Sequence, residues 1–432
     1  MKRLAAITSI ALLLYLALPA FQPKSPIAEQ ILKSIQIVDS FKPINNHPLF
    51  QSTYEVWFSI PIDHTNPQSK RFPLRGYYSH RSFTRPMVVV IDGYTMYSSN
   101  PSEITRLLEA NQLTIEHRFF SNSRPKDSIP WQYLNIKQAA DDAHMVIQAF
   151  RPHYQNKWVS TGISKSGQAT IFHRRFYPND VDVSVPYVAP LNFSSEDKRV
   201  YEFLGRVGTS ECRNKIRDFQ YALFMSKNVL LPKLDSLALK NSWHFSIGIE
   251  RAYDLSVLEY EFSFWQWGYS CKTIPHPNSS PTTLFEHWAD VNPFSFFEDR
   301  EIDKVRPFFY QAMNQIGMYG YNIEPFKKYL PDKQNITFEF TLPKGLSVKF
   351  DSTAMLDVYG WVRDSGNYIL YIYGENDAWS STAVEPGSKT NAVKMVCPGG
   401  SHTTRIKNFP QPMRYMIYDT LEKWLEMPVV RN

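Results

Sequence analysis

Between Lys157 and Pro178 the chain reads KWVSTGISKSGQATIFHRRFYP, and this stretch narrows the possible folds more than any other. Lys157 to Thr161 reads as a strand, Gly162-Ile163-Ser164-Lys165-Ser166-Gly167 as an abrupt turn, and the chain from Gln168 onward as a helix. A strand that passes straight into a helix is the repeating unit of a parallel α/β sheet. A serine on such a turn is either a packing detail or a nucleophile. Ser164 is the centre of a small-x-Ser-x-small pattern from Gly162 to Ser166. Small neighbours are needed there because the central residue takes strained dihedrals and larger side chains would collide. Ser166 fits less well, since its second small position would be Gln168.

The surrounding pattern agrees with an α/β sheet. Strand-like runs cover Tyr54 to Ile60, Phe72 to Tyr78, Leu113 to Phe120 and Val181 to Val188. Met87 to Asp92 is a short, almost wholly apolar run ending at Gly93, the mark of a strand buried on both faces. Helical spacing covers Ser102 to Ala110, with Ser102 as N-cap, and Trp131 to Phe150. The segment from Ile27 to Phe50 reads as peripheral. Alternation stops near Phe193, and residues 196–340 carry long helical patterns with an aromatic run from Tyr260 to Trp267. It resumes with strands at Tyr368 to Tyr373 and Ala392 to Val396 and a helix from Met413 to Trp424. The expected organisation is a sheet core in two parts, 21–195 and 341–432, with a helical cap inserted at 196–340.

Composition excludes several classes. The chain has 432 residues, 43% of them hydrophobic and 20% charged, enough for a large buried core. Its net charge of +6 is spread without a basic stripe, which argues against a nucleic-acid partner. Lys2 and Arg3 precede an apolar run from Ala5 to Ala20, the layout of an export signal removed after residue 20. That run is short for spanning and contains Thr8 and Ser9, so a secreted or periplasmic protein without a stable membrane anchor is expected. Cys212 and Cys271 could pair and leave Cys397 free, or all three could be small buried side chains. No metal, nucleotide or flavin motif is present, so no cofactor is expected.

A serine hydroxyl needs a base to take its proton, and in this architecture acid and histidine follow the serine in the order Ser, Asp, His. Tyr371-Ile372-Tyr373-Gly374-Glu375-Asn376-Asp377 runs from a strand into a loop carrying an acid, and CPGGSHTTRI places His402 in a glycine-rich loop after the next strand. Glu375 is a rival acid, but Asp377 lies further beyond the strand end. Ser164, Asp377 and His402 are therefore the expected triad. The turn puts Ser164 at a helix N-terminus, so the Lys165 backbone N–H is one expected oxyanion donor. The other should be a backbone N–H of Gly93 or Tyr94, in the loop after the buried strand.

EHRFFSNSRP, YLNIKQAADDAH, STGISKSGQ, HRRFYPNDVD, YVAPLNF, FSFWQWG, YGENDAWS and GGSHTTRI together resemble the tripeptidyl aminopeptidase family of secreted serine peptidases, relatives of the prolyl carboxypeptidases and dipeptidyl peptidases. The resemblance covers about residues 45 to 425. It implies an α/β-hydrolase core with a helical cap, release of short peptides from polypeptide N-termini, and the same three catalytic residues. Family members usually carry Gly-Gly-Ser-Lys-Gly-Gly at the turn, where this chain has Ile163 and Ser166 in place of two glycines. The usual Glu-Gly-Tyr after the buried strand is Asp-Gly-Tyr here.

An exopeptidase needs a wall and a counter-charge for the substrate amine. Phe264, Trp265 and Trp267 are candidates to line the cap pocket, and Asp92 and Glu116 to hold the amine, although Glu116 could instead pair with Arg118 or Arg124. An esterase or lipase using the same triad, and a binding protein on an inactive hydrolase fold, remain as alternatives.

Overall fold

In the computed structural model, residues 26–330 and 336–431 are described, and their strands join in one sheet of nine. These are β1 (Val38–Ile44), β2 (Ser52–Pro61), β3 (Arg71–His80), β4 (Met87–Ile91), β5 (Asn111–Ile115), β6 (Trp158–Ile163), β7 (Val183–Tyr187), β8 (Leu370–Gly374) and β9 (Val393–Cys397). Their spatial order is β1-β2-β3-β5-β4-β6-β7-β8-β9. The first three strands and the β3–β5 pair run antiparallel, and every pair from β5 through β4 to β9 is parallel.

Burial on both faces explains the apolar run of β4. Met87, Val89 and Ile91 pack into one core layer with Ala143, Val146, Ile147 and Phe150. Val88 faces the opposite layer, with Ile104, Leu107, Ile417 and Leu421. The helices bearing these residues follow from the period of the apolar positions. The first part of the chain forms α1 (Ile27–Ser34), α2 (Glu103–Leu107), α3 (Ile136–Phe150) and α4 (Lys165–Phe176). Ser102 caps α2 by accepting from the Thr105 N–H.

Between β7 and β8 the chain forms α5 (Arg199–Leu204), α6 (Ser210–Met225), α7 (Lys227–Asn241), α8 (Ile249–Trp267), α9 (Pro281–Val291), α10 (Asp299–Gln311) and α11 (Thr353–Asp364), and α12 (Gln411–Leu425) closes it. Helix α8 is buried over most of its circumference, which is why its sequence has no polar face. A disulfide joins Cys212 at the start of α6 to Cys271 just past α8, and Cys397 is free and buried.

Two sequence expectations are corrected. Residues Ile27 to Phe50 are more than peripheral packing, because they supply α1 and the edge strand β1. The strand expected to reach Phe120 ends at Ile115; Phe119 and Ser121 have positive φ, which turns the chain out of the sheet. The expected export signal, 1–20, lies outside the described residues. Among the described residues no helix is long and apolar enough to cross a membrane.

Candidate active site

The crossing from β6 to α4 is as tight as the sequence suggests. Ser164 has φ 59° and ψ −124°, a region that costs roughly 1–3 kcal/mol for a residue with a Cβ and persists where its surroundings enforce it. Its N–H donates to the Tyr187 carbonyl at 2.9 Å. The turn closes on itself so tightly that a Cβ on Gly162 would sit 2.2 Å from the Ser166 carbonyl oxygen. Ile163 is 40% exposed and points its side chain away from the crowding. Ser166 is built into the turn, its hydroxyl donating to Asp92 Oδ1 and accepting from the Gly93 N–H, both at 2.9 Å.

The acid and the imidazole meet on the neighbouring loops. Asp377 Oδ2 and His402 Nδ1 lie 2.8 Å apart, and both residues are buried. Asp377 Oδ1 accepts from the Trp379 N–H at 3.1 Å, which fixes the carboxylate plane. The rival Glu375 is exposed and accepts instead from the Gly399 N–H, bracing the loop that carries His402. Helix α8 reaches this loop from above. The Gln266 carbonyl accepts the His402 backbone N–H at 2.9 Å, and the Trp267 ring stands edge-on to the imidazole at 6.1 Å.

Ser164 opens into a cavity of about 410 Å3 whose lining includes Tyr94, Glu259, Trp267, Phe308, Tyr319 and Trp379. Of the aromatic candidates, Trp267 lines it. Phe264 and Trp265 do not: both are buried in the core of the inserted helices, with Trp265 stacked over Gly208.

The loop after β4 corrects a second expectation. Gly93 N–H and Tyr94 N–H both donate to Asp92 Oδ1, at 2.8 and 3.2 Å, so neither amide is free for an oxyanion. The loop presents the Tyr94 side chain instead, which lines the same cavity as Ser164. Burial raises the Tyr94 phenol above its ordinary range and outweighs the opposing effect of Ser164, so the group stays protonated. Lys165 turns its side chain inward, donating to the Gly93 carbonyl at 2.6 Å, and burial lowers its ammonium well below the usual lysine range.

Neither expected amine-binding acid lines the Ser164 cavity. Asp92, its carboxyl pushed up to about 6 by burial, ties the turn to the loop after β4 through Ser166. Glu116 pairs with Arg75 at 2.6 Å, rather than with Arg118 or Arg124, and accepts from Met96 N–H and the Ser123 hydroxyl. Both border a separate cavity of about 20 Å3, room for about one water molecule. Two other acids do line the Ser164 cavity, Glu301 on α10 and the buried Glu259 on α8. Glu259 accepts from Ser263 Oγ at 2.8 Å and from the hydroxyls of Tyr319 and Tyr321 at 2.8 and 2.7 Å. Its only sequence signal is a position one residue before the aromatic run.

A family model described as PS-10 peptidase S37 matches residues 25–413. The chain belongs to that family. It is a serine-type peptidase, with peptides as its substrates. It is 31% identical over 417 residues to the prolyl tri/tetrapeptidyl aminopeptidase of Streptomyces mobaraensis, covering 93% of this chain and 85% of that one. It is 24% identical over 420 residues to the probable serine protease EDA2 of Arabidopsis thaliana, covering 84% and 83%. Similar solved structures include the proline iminopeptidase of Mycobacterium smegmatis, with 14% identity and a TM-score of 0.37 over 90% of this chain and 99% of that one. The acetyl xylan esterase of Paenibacillus sp. R4 matches with 12% identity and a TM-score of 0.36 over 93% and 92%. The peptidase has an α/β fold, a largely parallel nine-stranded sheet with helices between its strands.

Proposed function

We propose that this peptidase is an exported aminopeptidase that releases tripeptides or other short peptides from polypeptide N-termini, with Ser164 as nucleophile, His402 as base and Asp377 orienting the base. The observation that carries this reading is the buried Asp377–His402 pair, set under the end of α8 whose Trp267 shares a cavity with the strained Ser164. A relative at 31% identity bears the name of a prolyl tri/tetrapeptidyl aminopeptidase. Residues 196–340 serve as the cap over the two core parts, and residues 1–20 are removed on export.

In this mechanism Ser164 Oγ attacks the scissile carbonyl carbon while His402 Nε2 takes the hydroxyl proton, and Asp377 stabilises the imidazolium through Nδ1–H. Negative charge gathers on the carbonyl oxygen. The Lys165 backbone N–H, at the start of α4, and the Tyr94 hydroxyl are the donors that meet it. His402 then protonates the departing amine as the C–N bond breaks, leaving the N-terminal fragment esterified to Ser164. Water attacks the ester, gives its proton to His402, and the fragment leaves as a carboxylate as the serine recovers its proton.

Ser164→Ala tests the assignment. Turnover of a peptide anilide should fall by about 10^6-fold, and labelling by a fluorophosphonate probe should vanish. A variant that hydrolyses peptides near the wild-type rate would remove Ser164 from the mechanism.

A further inference from the structure

Ten carboxylates are buried among the described residues: Glu55, Glu116, Asp141, Asp142, Asp180, Asp197, Asp254, Glu259, Glu298 and Asp377. Nine of them lie within 4 Å of a lysine, arginine or histidine nitrogen. Glu259 is the exception, with no ion pair among the described residues. A carboxylate taken from water without a cation is costly, and such groups collect where function requires them. This one lines the cavity into which Ser164 opens.

We propose that Glu259 is the counter-charge for the substrate's α-ammonium group, so that cleavage is counted from the peptide N-terminus. The proposal rests on the aminopeptidase reading and supplies the group that makes the enzyme an exopeptidase.

The hydrogen bonds leave room for this ligand. An ionised carboxylate offers about four acceptor positions. Tyr319 and Tyr321 occupy two on Oε2, and Ser263 occupies one on Oε1. All three neighbours donate, so they hold the carboxylate in place without neutralising it. A primary ammonium brings three donors and the missing positive charge.

The other groups facing the site do not compete. The phenols of Tyr319 and Tyr321 are raised by burial and remain neutral, as does Tyr94. Glu301 enters the cavity lining from α10 and is paired with Lys304 at 2.5 Å. Burial pushes the Glu259 carboxyl up to about 7, against the pull of its three hydroxyl partners. An arriving ammonium favours the ionised form. Affinity for a free N-terminus should therefore weaken as pH falls through about 7. It should weaken again as the peptide amine loses its proton near pH 8.

The test compares one peptide with a free N-terminus and the same peptide acetylated, on wild type, Glu259→Gln and Glu259→Asp. Wild type should prefer the free peptide by about 100-fold or more in kcat/KM. Glu259→Gln should lose most of that preference through KM and lose the acid limb of the KM profile, with a much smaller change in the rate of fluorophosphonate labelling. Glu259→Asp keeps the charge and should keep the discrimination at a higher KM. Equal cleavage of the two peptides by wild type would overturn the proposal even if Glu259→Gln failed to fold. So would a Glu259→Gln enzyme with unchanged KM for the free peptide. Failure of the probe to label wild type would instead sink the Ser164 assignment.

Discussion

Tyr94 lines the cavity into which Ser164, the proposed nucleophile, opens, and its backbone amide is taken by Asp92. Tyr94→Phe keeps the ring, which packs against Phe120 and Phe308, and removes only the hydroxyl. Loss of one oxyanion donor typically costs a factor of about 10^2–10^3 in turnover. Single-turnover acylation should fall by about that factor with KM nearly unchanged, and an acylation rate equal to wild type would return the role to another donor. At this scale the sequence is informative where chain order carries the meaning: it pairs Asp377 with His402, which lie 2.8 Å apart, while Ser164 joins them in the proposed triad. The sequence also locates the loop after β4, but not whether the amide or the side chain of Tyr94 is left to face the cavity. That choice is made by the carboxylate of Asp92, through a contact with Ser166 across 74 positions. Glu116 looks available in sequence because its partner Arg75 lies on another strand, and Glu259 looks ordinary because the tyrosines that hold it come 60 and 62 residues later.

The turn from β6 into α4 acts as one element, and its glycine is its tightest point. Gly162→Ala places a Cβ 2.2 Å from the Ser166 carbonyl oxygen and 2.4 Å from its carbon, both backbone atoms, so the turn must open. Opening it moves Ser164 and the Lys165 N–H together. Fluorophosphonate labelling should slow by about two orders of magnitude, on the scale of a lost oxyanion contact, and the melting temperature should drop as well. Ile163→Gly, at an exposed side chain, should leave the labelling rate within about threefold, the scale of surface changes. Elements are legible where both faces are buried, as in β4, β6 and β8, since apolar runs can serve little else. The edge strand β1 is hidden because Asp39, Ser40, Lys42 and Pro43 give it a polar, proline-containing sequence, the usual dress of an edge that must not recruit another strand. The end of β5 is hidden for the opposite reason. Arg118, Phe119 and Phe120 have strand-like bulk, yet Arg118 turns inward to Asp142 at 2.7 Å and Phe119 takes φ 69°.

Across the whole molecule, the inserted helices and the sheet share the candidate site at one seam, the C-terminal end of α8. Gln266 accepts the His402 backbone N–H there, and Trp267 stands against the imidazole. Gly268, with φ 76°, lets the chain pass Ser401, whose Cβ and Oγ would both lie 2.9 Å from an added Cβ. Three residues further on, Cys271 is tied back to Cys212 across 59 positions. Closing a loop of that length removes enough freedom from the unfolded chain to stabilise the fold by about 4 kcal/mol in the chain-entropy account. The same bond holds the segment just past Trp267. Cys212→Ser, or reduction of the wild type, should therefore lower the melting temperature and also disturb catalysis, whereas a disulfide remote from the site would do only the first. The expected signature is a higher KM for peptides with a smaller change in the rate of fluorophosphonate labelling, because the cavity wall loosens while the Asp377–His402 pair keeps its own hydrogen bond. A reduced enzyme that melts earlier but binds peptide as before would show that α8 is seated by its contacts with the His402 loop alone.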